Sequence, residues 1–139
     1  MEDLERRAKI TTYIDCLRSG VLCYTVAEIE AMQRYNVDIK QRIAMKVAEL
    51  VRDMMLRFGL SPTNDERRLM ERHLEAVYSA VILGRRTSSV PVLARLNRLR
   101  DNAANNLRTL AILTGSRSNE EAELLDECES PQLSQISLF

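Results

Sequence analysis

Glycine and proline are scarce, four and three in 139 residues, and tryptophan is absent. That supply is too small for the many tight turns of a β-sandwich, so helices are expected. Cysteine is nearly missing too. Cys16, Cys23 and Cys128 form an odd count with no Cys-x-x-Cys pair, which argues against a disulfide framework and against a zinc site. The single histidine, His73, has no cysteine or second histidine near it in sequence and reads as a partly buried helix residue. There is no Gly-rich phosphate loop, no Gly-x-Ser-x-Gly and no adjacent Cys–His pair, and the carboxylates are scattered. The chain therefore reads as a non-enzyme with no metal and no cofactor. No run of about 18 apolar residues is present, and Met1–Glu5 opens with charges, so the expectation is a soluble, cytoplasmic protein with no membrane partner.

Charge of one sign is also lacking overall: 20 Lys+Arg offset 20 Asp+Glu. The balance hides a division. Residues 1–84 are neutral. Residues 85–118 hold Arg85, Arg86, Arg95, Arg98, Arg100, Arg108 and Arg117 against Asp101 alone, and residues 119–139 hold six acidic side chains and no basic one. Such segregation points to an anion-binding surface followed by an acidic tail, or to a tail that pairs with the basic helix of its own molecule. Exposed pairs contribute only about 0–1 kcal/mol each, so stability alone does not explain it.

Along the chain, apolar residues recur at helical spacing. Leu4, Ala8, Ile10, Ile14 and Leu17 predict a helix over 2–18, stopped by Ser19-Gly20. Thr25 with Glu28 is a capping box opening a helix over 26–35, and Asp38 with Gln41 caps a third that runs to Gly59 on Ile39, Ile43, Val47, Leu50, Val51, Met54, Met55 and Phe58. That third helix is expected to be the core helix. Ser61-Pro62 is expected to start a fourth, with proline in its first turn, ending at Gly84 before a loop over 84–89. A fifth spans 90–113 on Leu93, Leu96, Leu99, Ala103, Leu107, Leu110 and Ala111, and Ser118 with Glu121 caps a short acidic helix over 119–127. The fold class is all-α: a bundle of about five helices in a domain over 1–118, then an acidic segment and free peptide over 119–139. Two long striped helices favour a homo-oligomer.

The segment Thr25 to Ile43 resembles the helix-turn-helix of bacterial and phage DNA-binding proteins, extended here to Lys46. An Ala-containing apolar helix is followed by Asn36-Val37-Asp38 where that family has a turn of the Gly-Val-Ser type. Asn stands in place of the turn glycine, and the second helix is far longer than usual. The resemblance implies that Val37 and Ile43 face the core while Lys40, Gln41, Arg42 and Lys46 meet DNA. The same residues also fit a plain αα-corner with a solvated basic face. Arg85, Arg86 and Arg95 join the candidate DNA-binding set as part of the arginine-rich stretch.

The last five residues, Gln135-Ile136-Ser137-Leu138-Phe139, resemble the peptide Gln-Leu-(Ser or Asp)-Leu-Phe that binds the bacterial sliding clamp, with Ile136 the one departure. The resemblance implies Leu138 and Phe139 as anchors in an apolar pocket, with Ile136 beside them and Gln135 hydrogen-bonding at its rim. Burying such side chains gains about 1.5–3 kcal/mol each before ordering costs. An apolar terminus folding back on its own bundle is the alternative. Residues 61–115 also faintly resemble the paired helices of phage small terminase subunits, which would make Leu93–Leu110 an oligomer seam. The function expected is a non-enzymatic, DNA-associated protein of phage or mobile-element type that docks on the clamp as adaptor or inhibitor. A small terminase or other DNA-recognition subunit, or a protein-only helical adaptor, are the alternatives.

Overall fold

The structure, a computed structural model, describes residues 3–115. Five helices follow one another: α1 (Asp3–Ser19), α2 (Val26–Arg34), α3 (Ile39–Phe58), α4 (Asn64–Arg86) and α5 (Val90–Gly115). There is no strand among the described residues. The protein is an all-α bundle. The expected acidic helix over 119–127 and the terminal peptide lie outside the described residues.

Most helix boundaries follow from side chains that satisfy free backbone groups. The Thr25 hydroxyl accepts from the Glu28 N–H at 3.1 Å, and the Asp38 carboxylate from the Gln41 N–H at 3.1 Å. Between them Asn36 takes φ 55°, the left-handed conformation that its short amide tolerates. Gly59 ends α3 at φ 64°, its N–H donating to the Met55 carbonyl. Two expectations need correction at α4. Its N-cap is Thr63, whose hydroxyl accepts from the Glu66 N–H (3.1 Å) while the Glu66 carboxylate accepts from the Thr63 N–H (2.8 Å); Pro62 therefore precedes the cap. Gly84 does not stop the helix either. It lies inside α4 beside Leu93, where a Cβ would stand 3.4 Å from that side chain in ordinary van der Waals contact. The loop shrinks to 87–89.

The centre of the bundle is α4, which packs on all four other helices, most extensively on α5. The long stripe of α3 is buried at Val47, Leu50, Val51, Met54 and Phe58, but against α4 and α1. Met70, Leu74, Val77 and Tyr78 of α4 are at most 1 % exposed. Facing them, α5 offers Leu107 and three alanines, Ala103, Ala104 and Ala111, whose small side chains let α1 and α4 come close. Leu4, by contrast, is 80 % exposed, because the first turn of α1 runs past the core.

One end of the bundle gathers the start of α1, the 59–63 connection and the end of α5. The Ser61 N–H donates to the Thr114 carbonyl at 3.1 Å, and the Arg6 guanidinium donates to the Gly115 carbonyl. The opposite end gathers the 20–24 link with the end of α4. Gly20, at φ 86°, lets the chain turn there with Val81 and Arg85 against its Cα. An added Cβ would sit 2.5 Å from Arg85 Nη2 and 2.6 Å from Val81 Cγ1, whereas nothing lies within 4 Å of one at Gly59. Both positions carry left-handed strain for an L residue, about 1–2 kcal/mol. Gly20→Ala is therefore expected to destabilise clearly more than Gly59→Ala in urea unfolding, and equal losses would contradict the packing at this end.

Candidate nucleic-acid interface

Arginine in the last turn of a helix is favoured by the partial negative charge there, and α4 ends in Arg85-Arg86. The two are used differently. Arg85 reaches across to the 20–24 link and donates to the carbonyls of Gly20 (2.9 Å) and Tyr24 (3.1 Å), so it positions the link. Tyr78, two turns earlier on α4, accepts the Tyr24 N–H on its hydroxyl at 2.7 Å, and the two rings meet edge to face. Burial pushes the Tyr78 phenol above its ordinary range, so it stays a neutral partner. Arg86 is exposed and has no ion-pair partner among the described residues.

The link in turn brings α3 to the same end. Cys23, half-buried in it, has a thiol pushed up to about 11 by burial, with Arg85 and then Lys46 pulling the other way. Both cations therefore act on one sulfur. The first two turns of α3 project from the core: Lys40, Gln41 and Arg42 are exposed and Lys46 is half-buried. They do not share one face. At 3.6 residues per turn Arg42 and Lys46 stand within about 40° of each other, whereas Lys40 lies about 160° from Arg42. Val37 and Ile43 are half-buried, and Ile43 packs against the core.

The third contribution comes from α5. From Val90 to Arg95 every residue is exposed, and Arg95 and Arg98 have no ion-pair partner among the described residues. Between Glu75 and Asp101 the chain has five arginines and no carboxylate. Arg100 is different: it bonds Asp101 at 3.1 Å, and Asp101 also faces Arg18 at 3.9 Å. Arg98 stood outside the candidate DNA-binding set read from the sequence, and so did Tyr35, which is 79 % exposed beside the α2–α3 turn. An aromatic ring placed immediately before a turn and left out of every helical stripe was the available signal for Tyr35.

Thus Arg42, Lys46, Arg86, Arg95 and Arg98 lie on helix segments at one end of the bundle, which also carries the Asp38 carboxylate at the N-cap of α3. Chemically this is a set of cations able to meet several anionic groups at once. Elsewhere, a shallow groove of about 730 Å³ runs between α1 and α3 over Ala8, Thr12, Tyr13 and Phe58. Its wall is built by Tyr13, which donates to the Asp53 carboxylate at 2.8 Å under the Arg57 guanidinium. Burial of His73 lowers its pKa from the ordinary value, and among the described residues no three His, Cys, Asp or Glu side chains come together as metal ligands. No described helix is long and apolar enough to cross a membrane. Gln135, Ile136, Leu138 and Phe139 lie outside the described residues. No protein-family model, curated protein or solved structure matches the chain.

The thiols provide a check on this end. Near pH 8, exposed Cys16 should be alkylated by iodoacetamide well before Cys23, whose rate should climb only as pH approaches 11 and its thiolate forms. Equal rates at pH 8, read by peptide mass spectrometry, would mean that the link does not cover Cys23.

Proposed function

We propose that this is a non-enzymatic DNA-associated protein of phage or mobile-element type. One end of its bundle meets the phosphate backbone, and residues 135–139 dock on the bacterial sliding clamp. The observation that carries the DNA part is that cations from the start of α3, the end of α4 and the start of α5 share one end of the bundle, with no carboxylate in the sequence between Glu75 and Asp101. Counterion release makes each such contact with DNA favourable and salt-dependent. Because Arg42 and Lys46 share a side of α3 and Lys40 does not, the contact suits phosphates better than base edges, which need several side chains aligned in the groove. The clamp part rests on the likeness of Gln135-Ile136-Ser137-Leu138-Phe139. A weak peptide contact and a weak phosphate contact on one chain reinforce each other through effective concentration, so recruitment requires neither to be tight.

A second reading, an oligomeric DNA-recognition subunit of the small-terminase kind, is favoured by apolar side chains left in water around the α4–α5 turn. Leu83, Val90, Val92 and Leu99 are 50, 76, 42 and 54 % exposed. Light scattering separates the two, since a monomer sinks the oligomeric reading.

Binding of a duplex of arbitrary sequence, followed by fluorescence anisotropy over a salt series, tests the DNA part. Arg42→Ala/Lys46→Ala and Arg86→Ala/Arg95→Ala should each weaken binding and flatten the log–log salt dependence by about 1 for every phosphate the variant no longer neutralises. Unchanged affinity in both would remove it. For the clamp, the intact chain should capture it in a pull-down and Leu138→Ala/Phe139→Ala should not; equal capture, or none by either, rejects the docking.

A further inference from the structure

The N-terminal half of α5 combines two properties that no single small ion satisfies. Arg95 and Arg98 present charge without a partner among the described residues, and Val92 and Leu99, seven residues apart and so on one side of the helix, stand 42 and 54 % exposed. Phosphate groups answer the arginines but leave Val92 and Leu99 in water. A second copy of this face would cover that apolar pair but set Arg86, Arg95 and Arg98 against their own equivalents, since a two-fold interface pairs a patch with itself. What fits is an acidic segment with apolar residues at its centre.

This chain contains one. Residues 120–129 read Glu-Glu-Ala-Glu-Leu-Leu-Asp-Glu-Cys-Glu, six carboxylates in ten positions around Leu124-Leu125. We propose that residues 120–129 cover the Arg95–Leu99 face of α5 in the same molecule, with Leu124 and Leu125 over Leu99 and the carboxylates on Arg95 and Arg98. The reach suffices. From Leu99 to Gly115 α5 rises about 24 Å at about 1.5 Å per residue, and nine extended residues from Gly115 to Leu124 span about 30 Å. Val92 and Val90, about 34 and 37 Å away by the same rise, are beyond Leu124, so the leucines cover Leu99 and the cover stops short of the α4–α5 turn. The pairing stands whether or not the protein binds DNA. If DNA does bind this end, it competes with the segment for Arg95 and Arg98 while Arg42 and Lys46 stay open.

The test uses the full chain with Cys16→Ser and Cys23→Ala, so that a nitroxide attaches only to Cys128. At low ionic strength the amides of 95–102 should lose most of their intensity by paramagnetic broadening. They should recover in about 1 M salt, where the screening length falls to about 3 Å, and in Arg95→Gln/Arg98→Gln. Broadening centred on another helix, broadening indifferent to the arginine substitutions, or broadening seen only between a labelled copy and an isotope-labelled one would each overturn the proposal. An independent readout keeps all three cysteines. Hydrogen exchange of 95–102 in the full chain should accelerate on Glu121→Gln/Glu123→Gln/Asp126→Asn/Glu127→Gln, and an unchanged rate there is equally fatal.

Discussion

Two side chains of α4 fix the link that joins α1 to α2. Without them the Tyr24 N–H would lose its partner at the edge of an apolar core, at about 1–3 kcal/mol if buried and unmade, and the carbonyls of Gly20 and Tyr24 would lose a charged donor. The Arg85 guanidinium and the Tyr78 hydroxyl answer all three. The fork of an arginine suits this task because its several donors lie in one plane and can serve two carbonyls at once. Gly20 is the complementary requirement, since only a residue without Cβ lets Arg85 and Val81 come so near in a left-handed turn. The path of the link then decides where α2 and the first turns of α3 sit, and so where Arg42 and Lys46 point.

The charge arrangement follows from that geometry. Consecutive antiparallel helices bring alternate ends together, so the start of α3, the end of α4 and the start of α5 meet at one end of the bundle. Residues widely separated in sequence thereby share one end, which also carries the Asp38 carboxylate at the N-cap of α3. The opposite end carries Asp3, Glu5, Asp65 and Glu66 in the first turns of α1 and α4, where carboxylates suit helix N-termini. Even the buried core contributes indirectly: alanines on α5 bring α1 close over residues 103–111, and where α1 stops, near Gly20, the first turns of α5 are left uncovered.

Much of the fold was legible in the residues because its determinants are local. Thr25, Asp38, Gly20 and Gly59 set four boundaries through their own hydrogen bonds or φ angles, and the 3.6-residue period of α3 named its buried face. Where local reading failed, a tertiary contact had taken over. Gly84 looked like a stop and is a contact with Leu93; Pro62 looked like a first-turn residue and lies before the Thr63 capping box. Leu93 and Leu99 continue the stripe of α5 in sequence yet lie 37 and 54 % exposed, because no helix among the described residues buries them. Periodicity reports which side of a helix is apolar and not whether a neighbour reaches it.

The residues alone determined that the chain is helical, where most helices start and stop, and how its charge is divided along its length. Those properties depend on groups within a few positions of one another. Tertiary structure alone decided that α4 is the hub, that Arg85 holds a link while Arg86 has no ion-pair partner among the described residues, and that cations from three helices share one end. Each of these depends on distances between segments far apart in the chain, which are set by how apolar faces pack and which no local pattern encodes.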